Sequence, residues 1–246
     1  MKTNRIRPFN SRTAFTLVEL IVVLMILVGL AAVLIPAITD MVVRTNRSTA
    51  ASNISEVAGA IQRYDAQFMG YPDNFDSLMT DLIGTDLDTL TADLTAATAD
   101  VTLSAATLAT LNAAGIVNVG VHAVGDATFD LPASTLLTNT TVLKGPTAGT
   151  QVALGLETAG SAGKYILLGV GALNDMNGKT MLDAPVHFPR DASANPESVY
   201  SRFLAIIQIT DGVTALNRAK LVGVIAPDGA GLGGQLDSYF QIAANN

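Results

Sequence analysis

The longest pattern in the chain is an apolar stretch near its start, where residues 20–39 carry no charged side chain. A helix of about 20 residues crosses a hydrocarbon layer of roughly 30 Å. A secretory signal peptide would have a shorter apolar region, of about 7–15 residues, that ends at a small-x-small cleavage site. No Ala-x-Ala sequence ends this stretch, so the pattern predicts a membrane-spanning helix.

Beyond this stretch the apolar residues recur every three or four positions, which is the period of an amphipathic helix. They are Ile54, Val57, Ala58, Ile61, Tyr64 and Phe68. Gly70, with Pro72 after it, is the expected stop signal. The two segments together predict one helix over residues 15–69, roughly 80 Å long at 1.5 Å per residue.

The rest of the chain predicts a head with a mainly antiparallel sheet, because short β-type runs alternate with Gly, Pro, Asn and Asp. A helix is predicted over 104–114, with Leu108 and Leu111 inward and Gly115 at its end. A last helix is predicted over 235–244, and segment 80–160 is expected to be an insertion. The predicted strands are 116–124, 151–156, 165–170, 203–210 and 220–226. The predicted fold class is therefore α+β.

Charge is unevenly distributed along the chain. Residues 1–14 contain four basic side chains and no acidic one, so the net charge of −7 leaves −11 for the other 232 residues. Basic residues before an apolar span keep the N-terminus in the cytoplasm. An acidic remainder offers no broad surface for phosphate, so no nucleic-acid partner is expected. The chain has no Cys, which excludes disulfides, thiolate metal sites and Cys nucleophiles.

Glu19 does not fit a plain signal anchor, because a carboxylate inside an apolar span costs a few kcal/mol and is functional or paired by default. It belongs to the run Thr13-Ala14-Phe15-Thr16-Leu17-Val18-Glu19-Leu20, which follows the basic leader. This run resembles the processing site of type IV pilin precursors and of the related pseudopilins. One departure is Ala14, where the family usually has Gly; a small residue is still present.

The resemblance implies that a prepilin peptidase cuts between Ala14 and Phe15 and N-methylates the new N-terminal Phe15. Glu19 then becomes the fifth residue of the mature chain, and Pro36 lies where many pilins also have a Pro. The implied partners are other copies of the chain in a helical filament, the peptidase, an inner-membrane assembly platform with its ATPase, and membrane lipid before assembly. The implied location is the bacterial inner membrane, crossed once, and then an extracytoplasmic or cell-surface filament.

Electrostatics gives Glu19 a role in such a filament. The cleaved chain has an α-amine on Phe15, which can pair with Glu19 of a neighbouring copy in a poorly solvated core. A buried ion pair adds little net stability, but it can fix the register between neighbouring copies of the helix. Pro36 lacks a backbone N–H and clashes with the carbonyl of Ala32, so a kink or weak point is expected there.

These observations divide the chain into a leader (1–14), a membrane and polymerisation segment (15–38), an amphipathic half-helix (39–70) and a globular head (71–246). The resemblance implies a pilin-like architecture, with the long helix packed on the sheet. Tyr71-Pro72 is also common after the helix of major pseudopilins of type II secretion, and many surface pilins carry a Cys pair that this chain lacks. Three functions stay open: a pilus-like filament subunit, a secretion pseudopilin, or an uncleaved, membrane-anchored extracytoplasmic binding protein.

Little in the sequence predicts catalysis, and we expect a protein that is not an enzyme. His122 and His187 are isolated from any ligand-type cluster in the sequence. The Gly-rich runs at 169–171 and 229–234 predict turns rather than nucleotide sites.

One loop gathers oxygen ligands, and Ca²⁺ takes 6–8 of them. The residues are Asn174, Asp175, Asn177 and Asp183. The loop is a candidate Ca²⁺ site, and the interpretation that the pattern favours over it is a polar turn of the kind that Asn, Asp and Gly form for backbone reasons. No other cofactor is expected.

Overall fold

The computed structural model describes residues 16–158, 163–188 and 195–244. The fold is α+β, with an apolar N-terminal helix and a mostly antiparallel sheet in the C-terminal part, as the sequence predicts. The chain divides into two compact units after Val42. The elements are α1 (Leu17–Phe68), β1 (Phe75–Asp76), α2 (Ala92–Ala97), β2 (Thr98–Thr102), α3 (Ala105–Ala114), β3 (Asn118–Val121), β4 (Ala133–Leu136), β5 (Val142–Pro146), α4 (Ala148–Ala153), β6 (Tyr165–Gly169), β7 (Leu204–Thr210), β8 (Ala215–Ile225) and α5 (Leu232–Ala244).

The described part of the first unit is the apolar portion of α1. Residues Leu17–Ile35 have a mean hydropathy of 3.1, and none of them is buried. By length and composition this is the one described helix that could cross a membrane. Apolar side chains exposed on all sides of a helix need lipid or other protein around them.

In the second unit α1 is amphipathic, and most of the apolar residues predicted to recur every three or four positions are buried in the head. Ile54, Val57 and Ile61 pack in one core with residues of β6 and β7. Phe68 is an exception to the predicted stripe, since it is 52% exposed and stacks on Tyr64 with ring centroids 4.5 Å apart. The helix ends at Phe68, and Met69 rather than the predicted Gly70 adopts the left-handed conformation, with φ of 58°.

The main sheet has six strands in the order β4-β3-β1-β6-β7-β8. β1 is a short strand in the middle of this sheet. It is parallel to β3 and antiparallel to β6, and the remaining pairs of strands are antiparallel. A separate two-stranded sheet joins β2 to β5. Three predicted strands are confirmed at 165–170, 203–210 and 220–226, the last as part of the longer β8, and the strand predicted over 116–124 shrinks to β3.

The prediction of a strand over 151–156 is wrong, because this segment belongs to α4 and the turn after it. Thr147 is the N-cap of α4, and its side chain accepts a hydrogen bond from Thr150 N at 3.3 Å. A side chain that satisfies a free amide of the first turn favours a helix at that point. The capping signal therefore outweighed the short apolar run.

The predicted helix over 104–114 is confirmed as α3. Ser104 and Thr107 form a reciprocal capping box at its start, and Gly115 ends it with φ of 97°. Leu111 is fully buried and Leu108 packs at the margin of the core. α3 packs against β8, where Thr110 Oγ1 donates to the carbonyl of Leu216 at 2.5 Å.

Candidate functional site

The sequence places its main candidate site at the start of α1. Ala14 and Phe15, the predicted processing residues, lie outside the described part of the chain. Thr16 is the residue before the first helical one, and Glu19 lies in the first turn. Both side chains are exposed, as is every apolar residue from Leu17 to Ile35.

Thr16 and Glu19 form a capping box. Glu19 Oε2 accepts hydrogen bonds from Thr16 N at 2.8 Å and from Thr16 Oγ1 at 2.9 Å, while Glu19 N donates to Thr16 Oγ1 at 3.3 Å. Amides of the first helical turn have no partner within the helix, and a Thr followed three residues later by Glu satisfies two of them reciprocally. Sequence reasoning missed this local role, although the Thr-x-x-Glu spacing was its signal.

The capping box uses one of the two carboxylate oxygens of Glu19. Within the part of the chain that the structure describes, Glu19 Oε1 accepts no hydrogen bond. The carboxylate can therefore cap its own helix through Oε2 and still present Oε1 to a cation. The predicted pairing with an amine of a neighbouring chain does not require the cap to break.

α1 runs without interruption through position 36. Pro36 therefore does not end the helix, and its side chain lies outside what the structure describes. The predicted weak point at Pro36 remains an expectation, since Pro in a helix interior removes one backbone hydrogen bond.

The predicted calcium loop is a compact turn that follows β6. Asn177 N donates to Asn174 O at 3.0 Å, and an isolated bridge pairs Asn177 with Met181. Asp175 Oδ1 accepts from Asn74 Nδ2 at 3.3 Å, and Asp183, which lies beyond the bridge, accepts from Ala184 N at 2.7 Å. The structure thus brings Asn174, Asp175 and Asn177 into one turn.

Most of the side chains in this turn that could bind a metal ion are amides rather than carboxylates. Asn177 Nδ2 donates to the carbonyls of Gly171 and Ala172, and Asn177 Oδ1 is buried without a partner among the described residues. Within those residues no group of three or more His, Asp or Glu side chains is placed to hold a metal ion. A cation here would depend on Asn177 Oδ1 and on the carboxylate of Asp175.

Both histidines lie beside carboxylates, which the sequence spacing did not show. His187 is 3% exposed, and its Nε2 is 3.8 Å from Asp228 Oδ2. Asp228 also accepts from Arg47 Nη1 at 2.5 Å, which ties the loop before α5 to α1. Burial lowers the pKa of His187, Asp228 opposes this shift, and Arg47 adds to it.

His122 lies between the carboxylates of Asp76 and Asp126. Asp76 also accepts a hydrogen bond from the Tyr200 hydroxyl at 2.7 Å. Complete burial, with Asp76 nearby, raises the pKa of Tyr200 well above its ordinary value. The four side chains form a polar cluster inside the head, from here on the Asp76 cluster.

An apolar groove of about 620 Å³ opens on the head. Its walls come from α1, β7, β8, the end of α4 with the segment after it, and the Gly-rich loop that leads into the start of α5. The side chains that line it include Ile54, Leu154, Leu156, Ile206, Val224 and Leu232. A cleft of this volume is within the range of small-molecule sites.

Comparison of the chain with protein-family models, with curated proteins and with solved structures found no match.

Proposed function

We propose that the protein is a structural subunit of a type IV pilus-like filament. It is inserted in the inner membrane as a precursor, cleaved before Phe15, N-methylated, and polymerised through the apolar half of α1. The observation that carries this proposal is Glu19, the single acidic residue in an apolar stretch that is otherwise exposed on all sides. A helix that only anchors a protein needs no carboxylate, whereas a helix that stacks with copies of itself needs a register.

Two further features support the proposal. The second half of α1 packs through one face on the core of a mostly antiparallel sheet, which is the architecture that the resemblance implies. Glu19 Oε1 accepts no hydrogen bond among the described residues, which leaves an acceptor for the α-amine of a neighbouring copy. In a protein core such an attraction is stronger than in water.

The proposed partners follow from this function. They are other copies of the chain, a prepilin peptidase, and an inner-membrane assembly platform with its ATPase. A pseudopilin of a type II secretion system is the alternative within the same class, and the absence of Cys favours it over a surface pilin with a disulfide. The assembly steps are the same for both.

A function of another class is favoured by one observation. The apolar groove on the head suits a membrane-anchored extracytoplasmic binding protein whose α1 stays uncleaved. This alternative requires no contact between copies. It predicts that Glu19→Ala changes neither location nor function.

Glu19→Ala in the full-length chain tests the proposal, in a bacterium with a type IV assembly system. We expect normal membrane insertion, because the change makes the span more apolar, and loss of filaments from the sheared fraction. Ile21→Ala, which only trims packing, should assemble far better. Wild-type assembly of Glu19→Ala would overturn the proposal.

A further inference from the structure

Glycines leave open space in the apolar groove on the head. One of them lies in β8, and the others lie just before α5 or in its first turn. They are Gly223, Gly229, Gly231, Gly233 and Gly234. A Cβ atom at Gly223 or at Gly233 would meet no other atom within 4 Å. The groove is therefore an open surface between walls of apolar side chains, and apolar surface of this kind marks interaction sites.

α5 turns an apolar face to solvent beside this groove. Leu232, Leu236 and Phe240 follow one another at intervals of four residues, so they share one face of the helix. Leu232 lines the groove, whereas Leu236 and Phe240 lie further along the helix and are 41% and 63% exposed. Gln235 is fully buried and accepts a hydrogen bond from Arg47 Nη1 at 2.9 Å. A polar contact thus holds α5 on the head while apolar side chains point outward.

Two charges of opposite sign flank these surfaces. Lys220 in β8 is exposed and pairs with Gln208 on β7, two residues beyond Ile206, which lines the groove. Residues two apart on a strand share a face of the sheet, so Lys220 lies at one end of the groove. Asp237 is the one charged residue of α5, and it is exposed next to Leu236. Neither charge has an ion-pair partner among the described residues.

The acidic residues near the walls of the groove leave the charge of Lys220 available. α1 contributes Ser55 and Ala58 to the wall, and Glu56 projects from another side of this helix because successive residues point in different directions. Glu157, which follows the wall segment after α4, is paired with Lys164 at 2.8 Å. A partner that enters the groove with an acidic group at its edge would therefore meet a complementary charge.

We infer that the groove of one copy receives the exposed face of α5 from a neighbouring copy. Leu236 and Phe240 enter the groove as apolar anchors, in the manner of a helix bound in a groove, and Asp237 pairs with Lys220 across the contact. The inference rests on the proposed function, since a filament places copies side by side. Each copy carries one groove and one α5 face, so the contact can repeat along a row of copies.

The chain contains no Cys, so cross-linking between introduced thiols tests the contact in the full-length protein. Two copies with different tags are produced together, one with Gly223→Cys and the other with Leu236→Cys. Membrane and sheared fractions are then treated with a short bis-maleimide. We expect a linked species that contains both tags.

Val213→Cys in place of Leu236→Cys is the matched control, because Val213 is 92% exposed in the turn between β7 and β8. It should give little linkage to Gly223→Cys. Absence of the link between positions 223 and 236, or an equal yield with the control, would overturn the inference.

Exchange of the two charges tests the ion pair itself. Lys220→Glu alone and Asp237→Lys alone, each made in both copies, should lower the yield of the cross-link several-fold, because like charges would then face each other. The double variant restores opposite charges and should restore the yield. A double variant that links no better than either single variant would contradict the pairing.

Other occupants of the groove give a different result. A lipid or another small apolar molecule that co-purifies with the chain, in the absence of the cross-link, would make the groove a ligand site and overturn the inference. Failure of the proposed function is also distinct. A wild type without sheared filaments would contradict that function, whereas filaments without the cross-link would contradict only the contact between heads.

Discussion

The carboxylate of Glu19 accepts hydrogen bonds from both the backbone amide and the hydroxyl of Thr16, at 2.8 and 2.9 Å. Glu19 therefore has two separable properties, an oxygen that caps its own helix and a negative charge that can attract a neighbour. A substitution to Ala removes both properties at once. Substitutions that separate them decide which of the two properties the proposed filament assembly requires.

Glu19→Gln and Thr16→Ala make this separation. Gln at the third helical position retains the capping box but has no charge, so we expect Glu19→Gln to insert in the membrane and fail to assemble. Thr16→Ala loses the cap, at about 0.5–2 kcal/mol of local helix stability, and should still form filaments. The amount of each chain in sheared filaments, relative to the membrane fraction, is the measurement. The reverse pattern would show that Glu19 only caps the helix.

The close packing of Gly171 on Asp76 makes a second prediction. A Cβ at position 171 would overlap the Asp76 carboxylate, whereas a Cβ at position 223 has no atom within 4 Å. Overpacking costs about 1–3 kcal/mol, so Gly171→Ala should lower the free energy of unfolding by that amount. Gly223→Ala in β8 is the matched control and should be neutral or slightly stabilising. Equal effects of the two changes in denaturant unfolding would contradict the described packing.

His187 predicts a pH dependence of the stability of the head. Burial lowers the pKa of His187 in the folded chain, while the unfolded chain keeps an ordinary value of about 6.5. Its contribution to stability is thus present above that value and is lost as the pH falls below it. Between pH 7.5 and pH 5 the wild type should lose more stability than His187→Gln. Parallel melting curves for the two proteins over this range would exclude the effect.

We also propose that the turn of Asn174, Asp175 and Asn177 binds Ca²⁺. A ligand specific to the native state raises stability by RT ln(1 + [L]/Kd), so the melting temperature of the full-length chain should rise with Ca²⁺ and fall with a chelator. Asp175→Asn should remove this response. Asp93→Asn, at an exposed acid in α2, should keep it. No change in melting temperature at millimolar Ca²⁺ would leave only a polar turn.

The sequence predicted elements whose signals are local. α1 follows from a continuous apolar run and a helical period, and α3 follows from Ser104 and Gly115 at its ends. The pair β2 and β5 was missed, because β2 lies in a Thr-, Ala- and Asp-rich segment with no clear alternation and its partner strand lies far along the chain. Pairing of distant segments depends on tertiary contacts rather than on local preference.

The polar cluster in the head could not be predicted for the same reason. Tyr200 and Asp76 are 124 positions apart in sequence, yet their side chains share a hydrogen bond of 2.7 Å. His122 has an acid four residues later, but only the fold brings Asp76 to its other nitrogen. The capping box of Thr16 and Glu19 is different, since its residue types and spacing lie within one short run of the sequence.

The mature N-terminus of the protein tests the central claim most directly. Intact-mass and peptide mass spectrometry of the membrane and sheared filament fractions identify the first residue and its modification. A filament subunit of the proposed class starts at N-methylated Phe15, and in a host without prepilin peptidase the same chain keeps its leader. A chain that starts near Met1 in both hosts, or that is cut beyond Ile38, would contradict the account.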